Sequence, residues 1–402
     1  MLVGLDVLRR GRNSTARRRL QDANVGLLTH QAAVDGEGLQ TILALKNLNI
    51  TPSIIFSPEH GLDGLAQAEE AVTKDEADVG SIPLISLYGS TKESLTPTPS
   101  NLEGLDVLVI DLVDVGSRYY TYVWTALLAA RAAARAGIHT MVLDRPNPIG
   151  GDPVQLEGRP QDAELLSFVG LESIPIRHCM TLGEILVSLF NQEEESLGRD
   201  GALSVVPTEG WERHGLANAF GRPFVPPSPN MPTAETALLY PGGCLLEGTN
   251  LSEGRGTTTP FSLVGAPFID GGKLAQALGT IPGLWLRPTR FQPTFDKHAG
   301  KVCGGLMLHV HNERTFRPVA AYLSIINEAR RQAPDDFELL SRVYEFEDKH
   351  PAFDLLSGTP KARELLQAGA DSQELIDLLC PVDEEWTIRV ESAEDLLQES
   401  RA

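Results

Sequence analysis

The chain has 402 residues, a formal net charge of −20, 42% apolar and 22% charged residues. That is the composition of a globular protein too long for one ordinary core and suited to two domains. No apolar run approaches the roughly 20 residues a membrane helix requires, and so strong an acidic balance repels a phosphate backbone, so neither a membrane nor nucleic acid is expected as a partner.

The opening residues, Met1-Leu2-Val3-Gly4-Leu5-Asp6, carry an early acid and no apolar stretch of secretory length, so a cytoplasmic location is expected. The arginines between Arg9 and Arg19 read as the solvated face of an early helix. Apolar runs of strand length follow at residues 25–28, 53–56, 83–87, 107–110 and 141–143, and stretches with helical spacing at 39–48, 124–136 and 182–190. Alternating strands and helices predict an α/β domain, a mainly parallel sheet wrapped on both faces. Beyond Pro207 a Pro-rich segment, 223–232, and Gly-rich turns replace that alternation. A boundary is placed at Val206, giving domains 1–206 and 207–402, the second a smaller α+β unit with a strand near 306–310 and helices at 319–331, 337–344 and 372–379.

Polar residues gather where the apolar runs stop. Ile54-Ile55-Phe56 leads into Ser57-Pro58-Glu59-His60-Gly61; residues 107–110 lead into Asp111, Asp114, Arg118, Tyr119 and Tyr120; Met141-Val142-Leu143 leads into Asp144-Arg145-Pro146-Asn147. Ligands of parallel sheets bind beyond the carboxyl ends of the strands, so these clusters suggest one shared site. A carboxyl at a buried strand end can be desolvated into the range of a general acid, which singles out Glu59; a helix cap beside His60 is the plainer reading. In the second domain, residues 247–260 interleave glycines with Glu247, Asn250, Glu253, Arg255 and hydroxyls. Such a loop suits a polyhydroxylated ligand, and the fork of Arg255 suits a carboxylate; a self-capped structural turn is the alternative. No cofactor is expected: Gly-x-Gly-x-x-Gly does not follow the first strand, and neither a phosphate loop nor a Gly-x-Ser-x-Gly elbow occurs. His309 and His311 share a strand face without a third ligand at metal spacing, so no metal is assigned, and Cys179, Cys244, Cys303 and Cys380 read as packing thiols.

Several long motifs resemble the exo-β-N-acetylmuramidases of the NamZ type, once a domain family of unknown function. They are Phe56-Ser57-Pro58-Glu59-His60-Gly61, Ser86-Leu87-Tyr88-Gly89, residues 111–122, Leu143-Asp144-Arg145-Pro146-Asn147-Pro148, Pro227-Ser228-Pro229-Asn230-Met231-Pro232, Tyr240-Pro241-Gly242 and residues 247–261. The resemblance implies a Rossmann-like first domain, a smaller second domain and an active-site cleft between them. It also implies removal of terminal β-1,4-linked N-acetylmuramic acid from peptidoglycan fragments, with Glu59 at the position of the family's proposed catalytic glutamate.

A glycosidase needs a second group to stabilise an oxocarbenium-like transition state or activate water, for which Asp114, Glu70, Glu247 and Glu253 are candidates; the substrate's own acetamido oxygen is another. The lactyl carboxylate of muramic acid calls for a cation, Arg255, Arg145 or Arg118, with His60 also in reach. Tyr120, Asp144, Asn147, Asn230 and Asn250 complete the expected sugar contacts. After Gly61 this chain has Leu62-Asp63-Gly64 and Gln67-Ala68-Glu69-Glu70, where family members look like Phe-Arg-Gly and Asp-Ala-Gly-Glu. A non-catalytic binder of muropeptides or amino sugars on the same fold is the rival reading.

Overall fold

The computed structural model describes residues 1–72, 77–190 and 202–400. Six strands, β1 Val25–Thr29, β2 Ile54–Ser57, β3 Leu84–Ser86, β4 Val107–Asp111, β5 His139–Leu143 and β6 Leu203–Val206, make one sheet in the order β3-β2-β1-β4-β5-β6. Every neighbouring pair is parallel, which demands crossovers and puts helices on both faces. The pleat sorts the apolar residues between those faces. Val25, Leu27, Val107 and Val109 pack against Leu5, Leu20, Ile42 and Leu45 of the early helices. Leu28, Leu108, Ile110 and Val142 belong to the opposite core, with Val123 and Leu127 of the helix Tyr122–Arg135 and Ile185 and Leu189 of the helix Leu182–Phe190. Full burial of each such side chain stabilises by about 1.5–3 kcal/mol.

A second, antiparallel sheet has the order β7-β9-β8, from β7 Leu263–Ala266, β8 Leu284–Phe291 and β9 Cys303–Val310. A Cβ on Gly265 would fall 2.1 Å from the Gly304 carbonyl oxygen, so the glycines here allow two backbones to approach more closely than any side chain permits. The helices Gly271–Leu278 and Pro318–Gln332 follow in this part of the chain, and four more run from Ala352 to Glu399. The last, Glu384–Glu399, returns to the first domain: Trp386 Nε1 donates to the His178 carbonyl at 2.9 Å, and Val205 N–H of β6 donates to Ser400 at 2.9 Å. No helix among the described residues is long and apolar enough to cross a membrane.

The α/β and α+β classes are as expected, but one element is not. Residues 337–344 are not helical. Their backbone serves the 247–250 loop instead: Leu340 N–H donates to the Gly248 carbonyl and Asn250 N–H to that of Glu338. Tyr344 then pairs with Glu347 across a tight turn in which Glu345 and Phe346 take positive φ, 46° and 65°.

The strand order reverses between β1 and β4, where doubly wound sheets commonly hold their ligand. Here that crevice is furnished with paired charges. Arg145 donates to both carboxylate oxygens of Asp111, at 2.5 and 3.0 Å, and to the Val34 carbonyl at 2.9 Å. Arg222 donates to the carbonyls of Val34 and Asp35. Phe220, Phe224 and Val225 line the apolar hollow that remains. Burial, reinforced by Arg145, lowers His30 to about 3, so its neutral ring accepts the Val113 N–H at 3.0 Å.

Candidate active site

A different cavity opens beyond β2 and draws its walls from both domains. Glu59 and His60 reach it because the chain turns sharply after Ser57, with His60 at φ 73° and Gly61 at φ 79°, a left-handed pair that a non-glycine residue such as His60 enters only at a cost. Glu59 is 5% exposed. One carboxylate oxygen accepts from the Thr121 hydroxyl at 2.6 Å and the other from Glu69 N–H at 3.2 Å. Thr121 heads the helix Tyr122–Arg135, yet its side chain makes no cap; the hydroxyl serves Glu59 instead. The Tyr122 hydroxyl sits 3.1 Å from the Glu59 carbonyl and 3.0 Å from that of Pro227, tying the turn to the Pro-rich arm. His60 is oriented by its Nδ1, which donates to the Ala66 carbonyl at 2.9 Å.

The facing wall comes from the second domain. Glu247, in the short turn Cys244–Gly248, accepts from Arg255 Nη2 and from the Tyr344 hydroxyl, each at 2.7 Å. Arg255 also pairs through Nε with Glu253 at 3.2 Å and lies over the Phe261 ring at 5.2 Å. Burial works against its charge, but Glu247 and Glu253 outweigh that and keep it a cation. Lys297 holds the other oxygen of Glu253 at 2.6 Å. Glu345, 7% exposed, accepts from the Tyr88 hydroxyl at 2.8 Å. Burial, then the neighbouring carboxyls Glu59, Glu69 and Glu247, raise it well above the usual range. Glu69, behind the wall, is raised to about 7 by burial despite Arg342 at 3.0 Å. Among the described residues, three carboxyls and one guanidinium line the cavity, an excess of acid that suits proton transfer at a polar ligand better than recognition of a polyanion.

Of the residues singled out from sequence, Glu59, His60, Tyr120, Asn230, Glu247 and Arg255 meet in this cavity. Asn230 donates to Gln67 at 2.9 Å. The others stand elsewhere, so the three strand-end clusters do not form one wall. Asp114 accepts from Gly116 N–H at 2.8 Å and lies 3.2 Å from His178 Nε2. Glu70 is exposed and accepts from Gln67 N–H. Arg118 is fully buried, donating to the carbonyls of Arg159, Ile174 and Leu356. Asp144 accepts from the Thr181 hydroxyl and Gly183 N–H, and burial with Glu184 nearby raises it to about 7. Arg145 is committed to Asp111, and Asn147 donates to Met180 and accepts from Ile149. Asn250 is bonded to Asp336 and Glu338, and Glu253 stands behind Arg255. His309 accepts from Arg287 and His311 stacks on the exposed Trp285, and no group of three potential ligands among the described residues fits a metal. The four cysteines are free, three of them buried.

Tyr344 and Glu345 were not read from the sequence. Their signal is the period-two order Tyr344-Glu345-Phe346-Glu347, which interrupts helical spacing just where a helix was expected.

Comparison with known proteins agrees with this architecture. Residues 25–235 match the family model for the N-terminal domain of the exo-β-N-acetylmuramidase NamZ, and residues 238–393 that for its C-terminal domain. A protein of Bacillus subtilis (strain 168) named peptidoglycan β-N-acetylmuramidase NamZ is 41% identical over 364 residues, covering 90% of this chain and 84% of its own. The crystal structure of a DUF1343 family protein from Bacteroides fragilis superposes with a TM-score of 0.82 at 28% identity, covering 99% of this chain and 98% of that one. A second DUF1343 protein of the same organism shares the fold, with a TM-score of 0.69 at 24% identity over 100% and 98% of the two chains. With both domain models matched in order and a relative this close, the chain belongs to the NamZ exo-β-N-acetylmuramidase family.

Proposed function

We propose that this chain is an exo-acting glycoside hydrolase that releases terminal β-1,4-linked N-acetylmuramic acid from peptidoglycan-derived glycans or disaccharides, with Glu59 as general acid/base. The observation that carries this reading is the meeting of Glu59 with Arg255 in one two-domain cavity. A glycosidic bond needs a buried carboxyl to move a proton, and muramic acid differs from other amino sugars by a lactyl carboxylate that a forked cation can hold. Glu59 is positioned by Thr121 and by the Glu69 N–H, so its two oxygens are fixed before substrate arrives. Arg255 is held by Glu247 and Glu253, so a lactyl carboxylate would share its donors with Glu247. Tyr120, Asn230 and His60 supply the remaining polar contacts to the sugar.

The test is incubation with the disaccharide of N-acetylmuramic acid β-1,4-linked to N-acetylglucosamine, followed by mass spectrometry. The two free monosaccharides are expected. Tight binding of an intact disaccharide would instead favour a muropeptide-binding protein on this fold. The proposal extends to a cytoplasmic setting in which cell-wall fragments are recycled, which immunoblotting of cell fractions would check.

A further inference from the structure

Hydrolysis of a glycoside requires two groups that act on opposite sides of the scissile bond, and the carboxyls near Glu59 differ in how far they are already committed. Both oxygens of Glu247 are taken, by Arg255 and by Tyr344. Glu69 is ion-paired with Arg342, Glu70 is exposed, and Asp114 lies outside the cavity. Glu345 is different on three counts. It lines the cavity with Glu59, it has one hydrogen-bond donor in the neutral Tyr88 hydroxyl, and among the described residues it has no ion-pair partner. Its backbone is also strained: Glu345 and Phe346 both hold positive φ, and Phe346 is clamped between Tyr88 and Phe168, with ring centroids 5.3 and 6.3 Å away. A strained turn locked by aromatics, delivering an unpaired carboxyl into a pocket, is the kind of feature that cores do not need and active sites use.

We propose that Glu345 is the second catalytic carboxyl of the hydrolysis, the one that protonates the leaving glycosidic oxygen while Glu59 takes the proton of the attacking water; this rests on the hydrolase reading above. In the step, the bond from C1 to the glycosidic oxygen breaks and its electron pair passes to that oxygen, which takes the Glu345 proton. Water supplies the new oxygen on C1 and gives a proton to Glu59. Exchange with solvent then returns each carboxyl to its starting state. The surroundings favour this division of labour. Glu59 accepts from a hydroxyl and an N–H, as a carboxylate does. Glu345 is buried beside Glu59, Glu69 and Glu247, and burial with these carboxyls disfavours its charge, outweighing the Tyr88 hydroxyl that donates to it.

The experiment compares wild type, Glu345→Gln and Tyr88→Phe on two substrates, the muramic acid disaccharide and the nitrophenyl β-glycoside of muramic acid. The first has a leaving group that needs a proton; the second does not. Glu345→Gln should lose about 10²- to 10⁴-fold in kcat/KM on the disaccharide, and far less on the nitrophenyl glycoside, and it should lose the basic limb of the pH profile. Tyr88→Phe removes a donor that stabilises the charged form, so its basic limb should move to higher pH. Equal losses on both substrates with an unchanged profile, or full activity of Glu345→Gln on the disaccharide, would overturn the assignment. Should Glu345→Gln not fold, Glu345→Asp and the Tyr88→Phe profile decide. A wild type inactive on both substrates removes the hydrolase reading and this assignment with it, whereas an active wild type with an indifferent Glu345→Gln removes the assignment alone.

Discussion

Two crevices open at the carboxyl ends of the parallel strands, and they treat charge in opposite ways. Between β1 and β4, Arg145 meets Asp111 with two hydrogen bonds and the Pro-rich arm closes over them. Beyond β2, Glu59, Glu247 and Glu345 face, among the described residues, a single guanidinium, that of Arg255. Charge that is fully paired and covered serves the fold, because a ligand would have to break existing bonds to use it. Charge gathered in excess, with perturbed protonation and strained backbone around it, has no structural purpose that apolar packing would not serve better. A sheet with the strand order of dinucleotide-binding proteins thus has the charges of its usual crevice paired, and its polar pocket lies one strand away.

Variants at each crevice sharpen this contrast. The largest effect is expected from Glu59→Gln, which should lower kcat/KM on the muramic disaccharide by about 10²- to 10⁴-fold with an unchanged thermal transition; substantial residual turnover would move the chemistry to another carboxyl. At the charge-paired crevice, Arg145→Met leaves Asp111, 0% exposed, as a buried unpaired charge. It should cost about 3–5 kcal/mol in urea unfolding, and a loss of turnover without that loss of stability would mean the crevice is functional after all. Arg255→Lys keeps the charge and loses the fork, so KM for the muramic glycoside should rise about tenfold with little change for the N-acetylglucosamine glycoside. The smallest effect is pH-dependent. Asp144, raised to about 7 by burial and Glu184, contributes stability that is fully present below its unfolded value near 4 and lost as pH rises through about 7. Asp144→Asn should flatten that decline in denaturation midpoints, and an unaltered slope would show that the group does not titrate there.

The first sheet was legible because strands buried on both faces are uninterrupted apolar runs; β1, β2, β4 and β5 fall where those runs lie, and the edge strand β3 lies within the run 83–87. The edge strands β6 and β8 were not. β8 contains Arg287, Pro288 and Arg290, tolerable only because it is the edge of the sheet β7-β9-β8, where an imino nitrogen forfeits no ladder bond. The helix Ser372–Leu379 was read to the residue, helped by the Asp371–Glu374 capping box; the helix Ala234–Gly243 hid behind an internal Pro241. In the site, Glu59 and Arg255 could be chosen from residue type and motif. Arg118 and Arg145 could not be dismissed, because what occupies a guanidinium is decided by residues far along the chain, such as Leu356 for the first and Val34 for the second. Glu345 was invisible for the same reason: only the fold brings it to Glu59.

The most direct test is a crystal structure of Glu59→Gln with the muramic acid disaccharide bound. The account requires the terminal sugar in the pocket beyond β2, its glycosidic oxygen beside Glu345, position 59 on the opposite side of the scissile bond and its lactyl carboxylate on Arg255. A disaccharide seated instead between β1 and β4, against Arg145 and Arg222, would contradict it.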